Sequence, residues 1–152
     1  GKASSDRGRL YQIIQGTGSS NRYVILQASP YYGSLNGRIY ASARQSSSST
    51  QWQSYCEANI TLNTWHHIVW QLNGSTREIY FNGTKMTLTN TNNGGSNNGS
   101  WFTFANFFST VRHEIGRFRD NDSYNDAHVR KVYFYDDALT QSEVTEIYNA
   151  GE

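Results

Sequence analysis

The sequence predicts an all-β fold, a two-sheet antiparallel sandwich with one short C-terminal helix. Short runs of β-branched and aromatic residues recur at a spacing of about ten residues, as is typical of sandwiches and jelly rolls. Gly, Asn and Ser separate these runs, and several runs alternate between apolar and polar residues. The 152 residues are enough for one domain with its own core.

Ten strands are expected from these runs, and one hairpin stands out among them. Asn82-Gly83 tolerates the positive φ angles of a two-residue type I′ turn, so the flanking strands should pair. Alternation places Ile68 and Trp70 on one face of their strand, and we expect Trp65 and Trp70 in the core. The predicted strands are Leu10–Gln15, Arg22–Ala28, Gly37–Ala43, Trp52–Cys56, Trp65–Leu72, Glu78–Phe81, Thr84–Leu88, Trp101–Phe108, His113–Phe118 and Val129–Tyr135.

The C-terminal helix is predicted from its end signals. Thr140 and Glu143 form the T-x-x-E pattern of a capping box, and Leu139 and Val144 suit the accompanying hydrophobic staple. Gly151 is placed to end the helix. We therefore expect an amphipathic helix that packs on the sandwich.

Composition and charge exclude several classes of protein. Charged residues make up 16% of the chain and the net charge is +1, without a basic run, so we expect no nucleic-acid partner. No apolar stretch is long enough to span a bilayer, so no membrane insertion is expected. The single cysteine, Cys56, cannot form an intrachain disulfide. Residues 1–9 are interpreted as a linker or tail and residues 10–152 as the domain, the C-terminal part of a longer protein.

Four elements in the second half of the chain resemble a known family. They are Asn63–Val69, Ile79–Gly83, His113–Arg117 and Val132–Thr140, the last followed by Glu143-Val144 and Ile147-Tyr148. Their order and spacing resemble the "W-H-H-V-A", "Y-v-n-G", "i-G" and "v-r-i-Y-n-r-A-L-t" signatures of the laminin-G-like domains, which belong to the concanavalin A-like lectins and glucanases. The resemblance implies a jelly-roll fold.

The chain departs from the family pattern in two places. Ala127 and Arg130 stand where the glycine and acidic residue before the last strand are usual. The family's opening strand also has no counterpart, since Leu10–Gln15 resembles a later one. Because an uncovered edge invites pairing, we expect a homo-oligomer or a neighbouring domain to complete the sheet.

Catalysis and a histidine metal site are not expected. A glycosidase needs two carboxylates on one face, and no Glu is followed at strand spacing by a second acidic residue. His66 and His67 are neighbours, so on a strand they point to opposite faces and cannot share one ion. The interpretation is that His67 is packed or hydrogen-bonded, and that the protein is not an enzyme.

An acidic loop offers the one candidate metal site. Asp120, Asp122 and Asp126 supply the oxygen ligands that calcium prefers, and laminin-G-like domains often carry a calcium at their rim. The same composition is also common in turns whose side chains cap the chain's own amides. Calcium is therefore a possible cofactor, and no other cofactor is expected.

Loop-borne aromatic residues are the candidate ligand-binding groups. Sugar rings stack on aromatic faces while amide and guanidinium groups bind the hydroxyls. Polar segments 46–50, 90–100 and 120–126 are expected to form a recognition rim beside such rings. The predicted ligand-binding residues are Trp52, Trp101, Tyr124, Asn97, Asn98, Arg117 and Arg119.

These features favour a non-catalytic module that recognises a cell-surface glycan or glycoprotein. The expected setting is a phage or viral fibre, a capsid decoration or a bacterial adhesin, on a virion or outside a cell. A structural or oligomerising domain without sugar binding is the main alternative. A glycoside hydrolase of the same fold is a remote one.

Overall fold

A computed structural model describes residues 8–15, 22–29, 37–46, 49–61, 63–73, 76–91, 111–118, 123–124 and 128–151. Most of the described elements are strands, and one helix lies near the C-terminus. The strands are β1 (Arg9–Gln15), β2 (Arg22–Ser29), β3 (Arg38–Ser46), β4 (Ser49–Glu57), β5 (Ile68–Asn73), β6 (Thr76–Phe81), β7 (Thr84–Lys85), β8 (Thr89–Thr91), β9 (Val111–Ile115), β10 (Arg117–Phe118) and β11 (Ser123–Tyr124), and the helix is α1 (Gln141–Asn149).

The strands form two antiparallel sheets and a short ribbon. A six-stranded sheet has the order β8-β4-β3-β2-β1-β9, and a three-stranded sheet has the order β5-β6-β7. β10 and β11 pair by themselves, directly after β9. The predicted all-β sandwich with one short C-terminal helix is therefore confirmed.

The core lies between the two sheets. Ile13, Val24 and Ile39 come from the six-stranded sheet and meet Ile79 of β6, and each is almost fully buried. Trp70 packs against this cluster from β5, as predicted. Burial of such apolar side chains is the main force that holds one sheet on the other.

The β6–β7 hairpin turns at Asn82-Gly83, as the sequence predicts. Asn82 has φ 49° and Gly83 has φ 78°, and Phe81 pairs with Thr84 across the turn. Two successive positive φ angles are the requirement of a type I′ turn, which suits the twist of paired strands.

The same asparagine fastens the hairpin to the chain before β5. The Asn82 backbone N–H donates to the His67 carbonyl at 2.8 Å, and Asn82 Oδ1 accepts from the His67 N–H at 2.9 Å. The Asn82 amide nitrogen lies 3.3 Å from His66 Nδ1. Both histidines therefore contact the hairpin, in agreement with the interpretation that His67 is packed or hydrogen-bonded.

Helix α1 docks on the hairpin. The predicted capping box is present: Thr140 accepts from the Glu143 N–H, and the Glu143 carboxylate accepts from the Thr140 N–H. Val144 is fully buried, and the Gln141 amide donates to the Gly83 carbonyl at 2.7 Å. The helix is therefore part of the folded domain.

Three sequence-based expectations differ from the structure or fall outside it. Val129–Tyr135 is not in a strand, because no hydrogen-bonded neighbour lies beside it among the described residues. Trp65 is exposed, since β5 begins only at Ile68. The predicted strand Trp101–Phe108 lies outside the described residues. α1 is too short to cross a membrane, and no other helix is described.

Candidate functional site

The six-stranded sheet has two chemically different faces. Residues directly opposite in antiparallel strands share a face, and neighbours along a strand point to opposite faces. One face carries Ile13, Val24 and Ala41 into the core. The other face, which we call the outer face, carries mostly polar and tyrosine side chains. Only part of it is accessible, because the side chains of Arg9, Gln12, Ile14, Ile25, Gln27 and Ser42 are buried. Its described side chains are Arg9, Gln12, Ile14, Tyr23, Ile25, Gln27, Arg38, Tyr40, Ser42, Gln53, Tyr55, Glu57, Arg112 and Glu114.

A row of side chains crosses the outer face near one end of the sheet. Tyr55 of β4 lies opposite Tyr40 of β3, Tyr40 lies opposite Gln27 of β2, and Gln27 lies opposite Arg9 of β1. Both tyrosines are half-buried, whereas Gln27 is almost fully buried. The row therefore places two partly accessible rings next to the buried side chains of Gln27 and Arg9.

An ion pair borders this row. Arg38 Nε donates to Glu57 Oε1 at 2.7 Å, and its guanidinium carbon lies 4.3 Å from the centroid of the Tyr55 ring. The guanidinium is thereby oriented by a carboxylate and by the attraction of a cation for an aromatic face. A planar, oriented donor beside a ring suits recognition of hydroxyl or carboxylate groups.

A second row contains buried polar groups. Gln53, Ser42, Ile25 and Gln12 lie side by side, and Gln12 has no exposed surface. Its amide donates to the carboxylate of Glu114 on β9, while its Oε1 is buried without a partner in the described part of the chain. An unmet buried acceptor is costly, so an internal water would be favourable here, whereas a ligand at the surface cannot reach this amide.

The described carboxylates of the outer face are too far apart for glycoside hydrolysis. Glu57 lies on β4 and Glu114 on β9, four strand spacings away. At about 4.8 Å per spacing the separation is roughly 19 Å, against about 5–9.5 Å for catalytic carboxylate pairs. These two residues therefore cannot act as an acid and nucleophile or base on one glycosidic bond.

The structure brings together two of the predicted ligand-binding residues. Arg117 of β10 lies opposite Tyr124 of β11 in register. Gly116, with φ 67°, precedes this ribbon and donates its N–H to the Leu10 carbonyl at 3.1 Å. The ribbon thus starts beside β1, at the end of the sheet that carries Arg9.

The other predicted site residues are placed only in part. Trp52 lies in β4 opposite Ala43, and its side chain is outside the described structure. The same holds for the side chains of Arg117 and Tyr124. Trp101, Asn97, Asn98 and Arg119 lie wholly outside the described residues and stay predictions.

The predicted calcium ligands also lie outside the described residues. They are Asp120, Asp122 and Asp126. Among the residues that the structure does describe, no group of three His, Cys, Asp or Glu side chains could hold a metal ion. Calcium at the acidic loop stays a prediction.

The outer face escaped the sequence analysis although its signal was present. In β3, Tyr40 and Ser42 alternate with Ile39, Ala41 and Ala43, although in β1 and β2 the side of Gln12 and Gln27 also carries Ile14 and Ile25. Such alternation indicates a sheet with one polar face. A polar strand face is usually only the side of a sheet that contacts solvent, however. The glycine- and asparagine-rich loops were therefore predicted as the ligand-binding site instead.

Comparison with known proteins identifies the family. Residues 2–145 match the laminin-G model described as the concanavalin A-like lectin/glucanases superfamily, so the chain belongs to that superfamily. The resemblance inferred from the sequence is confirmed. No curated protein matches the chain.

A solved structure is also similar to this chain. It is a crystal structure of part of an S-layer domain-containing protein from Clostridium thermocellum, with 20% sequence identity and a TM-score of 0.46. The match covers 95% of this chain and 64% of that chain.

Proposed function

We propose that this chain is a non-catalytic module that binds carbohydrate or another cell-surface ligand, and that the outer face takes part in binding. The concanavalin A-like fold fits a carbohydrate-binding or adhesion module. The observation that supports this surface is the pairing of Tyr40 with Tyr55 beside Arg38, all three of which are partly accessible. Tyrosine rings stack on the C–H side of a sugar, while amide and guanidinium groups bind its hydroxyls.

The recognition rim supplies the second part of the proposed site. Arg117 and Tyr124, opposite each other on the β10–β11 ribbon, add a guanidinium and a ring near the Arg9 end of the outer face. Trp52, Trp101 and the amides of Asn97 and Asn98 are proposed to extend the same site. The module is proposed to act outside a cell, on an adhesin or cell-surface protein, or on a virion.

The outer face and the recognition rim are tested by measuring ligand binding in substituted variants. A glycan array first identifies a ligand, and titration then compares Tyr40→Ala, Tyr55→Ala and Tyr55→Phe. We expect the alanine variants to bind about tenfold more weakly or worse, while Tyr55→Phe keeps most of its affinity because the ring remains. Tyr23→Ala is the matched control, because Tyr23 lies on the same face about 13 Å along the strands from the Tyr40 row.

The results separate the competing functions. If only Trp101→Ala and Tyr124→Ala lose binding, the rim is the site and the outer face is not. If the array is negative, the recognition role fails and a structural role is favoured. If the wild type released reducing ends from a β-glucan and Glu114→Gln did not, the protein would be a glycoside hydrolase instead.

Calcium is proposed as an optional ligand of the acidic loop. An ion that binds only the folded state raises the melting temperature by an amount that grows with its concentration relative to its dissociation constant. We expect chelation to lower the melting temperature relative to millimolar calcium, and Asp122→Asn to reduce that difference. An identical melting temperature with chelator and with calcium would rule the ion out.

A further inference from the structure

The segment Val129–Asp137 carries large apolar side chains that the domain leaves exposed. Five of its large apolar side chains are 41–67% exposed: Val129, Val132, Tyr133, Phe134 and Tyr135. Monomeric proteins rarely expose so many adjacent large apolar side chains, and such patches usually mark an interface. The segment is therefore expected to form an interface with another surface.

The backbone of this segment also has no pairing partner among the residues that the structure describes. No hydrogen bond joins it to another strand among the described residues, although Val-Tyr-Phe-Tyr has high β propensity. The segment is anchored near its middle, where the Phe134 ring lies 5.3 Å from the Tyr11 ring, and just beyond its C-terminal end, where the Gln71 amide binds Leu139. An unpaired, β-favouring and anchored segment is a template for another strand.

The charges of the segment are complementary to those of a second copy in antiparallel orientation. Arg130 and Lys131 lie at one end, and Asp136 and Asp137 lie at the other. An antiparallel pair places basic residues opposite acidic ones twice, whereas a parallel pair places like charges side by side. Opposite charges across strands stabilise pairing, and like charges oppose it.

We propose that residues 129–137 pair with the same residues of a second copy in a two-fold antiparallel ribbon centred on Tyr133. In this register Arg130 faces Asp136, and Val132 faces Phe134. The interface is isologous, as is usual in dimers with two-fold symmetry. This inference is independent of the ligand-binding proposal and concerns a different surface.

Charge exchange provides the main test. Arg130→Asp with Lys131→Asp makes both ends acidic, and Asp136→Lys with Asp137→Lys makes both ends basic. Analytical ultracentrifugation from about 1 μM to 1 mM should show a reversible wild-type dimer, because a ribbon this small lies below the roughly 1,200 Å² of stable interfaces. Each same-charge variant should dimerise at least about tenfold more weakly, and an equimolar mixture of the two should recover a one-to-one dimer.

Disulfide trapping tests the orientation and register. With Tyr133→Cys the paired Cα atoms would lie about 4.5–5.5 Å apart, within the range of a disulfide. With Arg130→Cys they would be roughly 20 Å apart in the antiparallel ribbon, but adjacent in a parallel one. The native Cys56 gives little background, because it is 2% exposed and burial raises its pKa to about 11.

Several results would overturn the proposal. A wild-type protein that is monomeric throughout the concentration range would do so, as would dimers that survive Tyr133→Pro, since proline removes a ladder donor. Efficient trapping of Arg130→Cys would show the wrong orientation. Hydrogen-exchange protection of residues 129–137 that does not depend on concentration would assign the segment to a strand of its own chain instead.

Discussion

The carboxylate of Glu78 shows how single polar side chains join the C-terminal segment to the three-stranded sheet. Glu78 is 5% exposed and accepts hydrogen bonds from Gln71, Tyr80 and Lys85. Burial opposes its ionisation, but these three hydrogen bonds outweigh burial and lower its pKa. Gln71 also donates to the Leu139 carbonyl and accepts from the Leu139 N–H. The backbone at Leu139, just before the helix, is thus held by the Gln71 amide, and the buried Glu78 carboxylate orients that amide.

Gly83 is expected to tolerate no side chain. A Cβ there would lie 2.8 Å from Cδ1 of Tyr148, and φ is +78°. We expect Gly83→Ala to lower the free energy of unfolding in urea by about 2–4 kcal/mol, from overpacking and backbone strain together. Gly116→Ala is the matched control, because Gly116 has φ +67° and no atom within 4 Å of a Cβ, so it reports strain alone. Equal losses in the two variants would contradict the close helix contact.

His67 is expected to make stability depend on pH below neutrality. Burial lowers its pKa, its Nδ1 is buried without a described partner, and its ring lies 5.9 Å from that of Tyr148. The unfolded state then binds the proton more readily, so the contribution is complete above about pH 6.5 and is lost as the pH falls toward the folded-state pKa. Urea midpoints measured between pH 7.5 and pH 5 should fall in the wild type and fall less in His67→Gln. His113→Gln is the control, and an unchanged slope in His67→Gln would refute the assignment.

At the scale of the elements, local sequence signals predict most of the fold. β1 to β4 lie within three residues of their predicted bounds at every end, because each is a β-favouring run bounded by turn residues. The capping box and Asn82-Gly83 turn are correct because their hydrogen bonds are local. Val129–Tyr135 is wrong because β propensity does not supply a neighbouring strand. The outer face was missed because pairing between β1, β2, β3 and β4 assembles it from residues far apart in sequence.

The N-terminal cap of α1 is expected to stabilise the whole domain, since the helix packs on the β6–β7 hairpin. Thr140→Ala removes the acceptor for the Glu143 N–H and should lower the free energy of unfolding by about 0.5–2 kcal/mol. Thr87→Ala is the control, because Thr87 is exposed and belongs to neither a strand nor a cap. A urea midpoint of Thr140→Ala equal to that of Thr87→Ala would mean that the helix contributes nothing to global stability.

For the whole molecule, the two proposed surfaces lie on different parts of the sandwich. The outer face is one side of the six-stranded sheet, whereas Phe134 packs against Tyr11, whose side chain points to the opposite side of that sheet. Pairing of two copies through residues 129–137 would therefore still allow a ligand to reach the partly accessible Tyr40, Tyr55 and Arg38 of each copy. A dimer of this kind presents two equivalent ligand sites, which a single weakly binding domain cannot do.

The dimer is therefore expected to increase retention on a dense surface without changing the affinity of one site. Tyr133→Pro keeps the charge of the protein and leaves the outer face unaltered, so it serves as the monomeric form. Against a soluble oligosaccharide, the wild type and Tyr133→Pro should have equal dissociation constants. On a surface coated densely with the same sugar, the wild type should dissociate at least about tenfold more slowly, because the second attachment is intramolecular. Tyr55→Ala should bind about tenfold more weakly or worse in both formats. Equal dissociation rates of the wild type and Tyr133→Pro on the dense surface would show that pairing through this segment has no part in recognition.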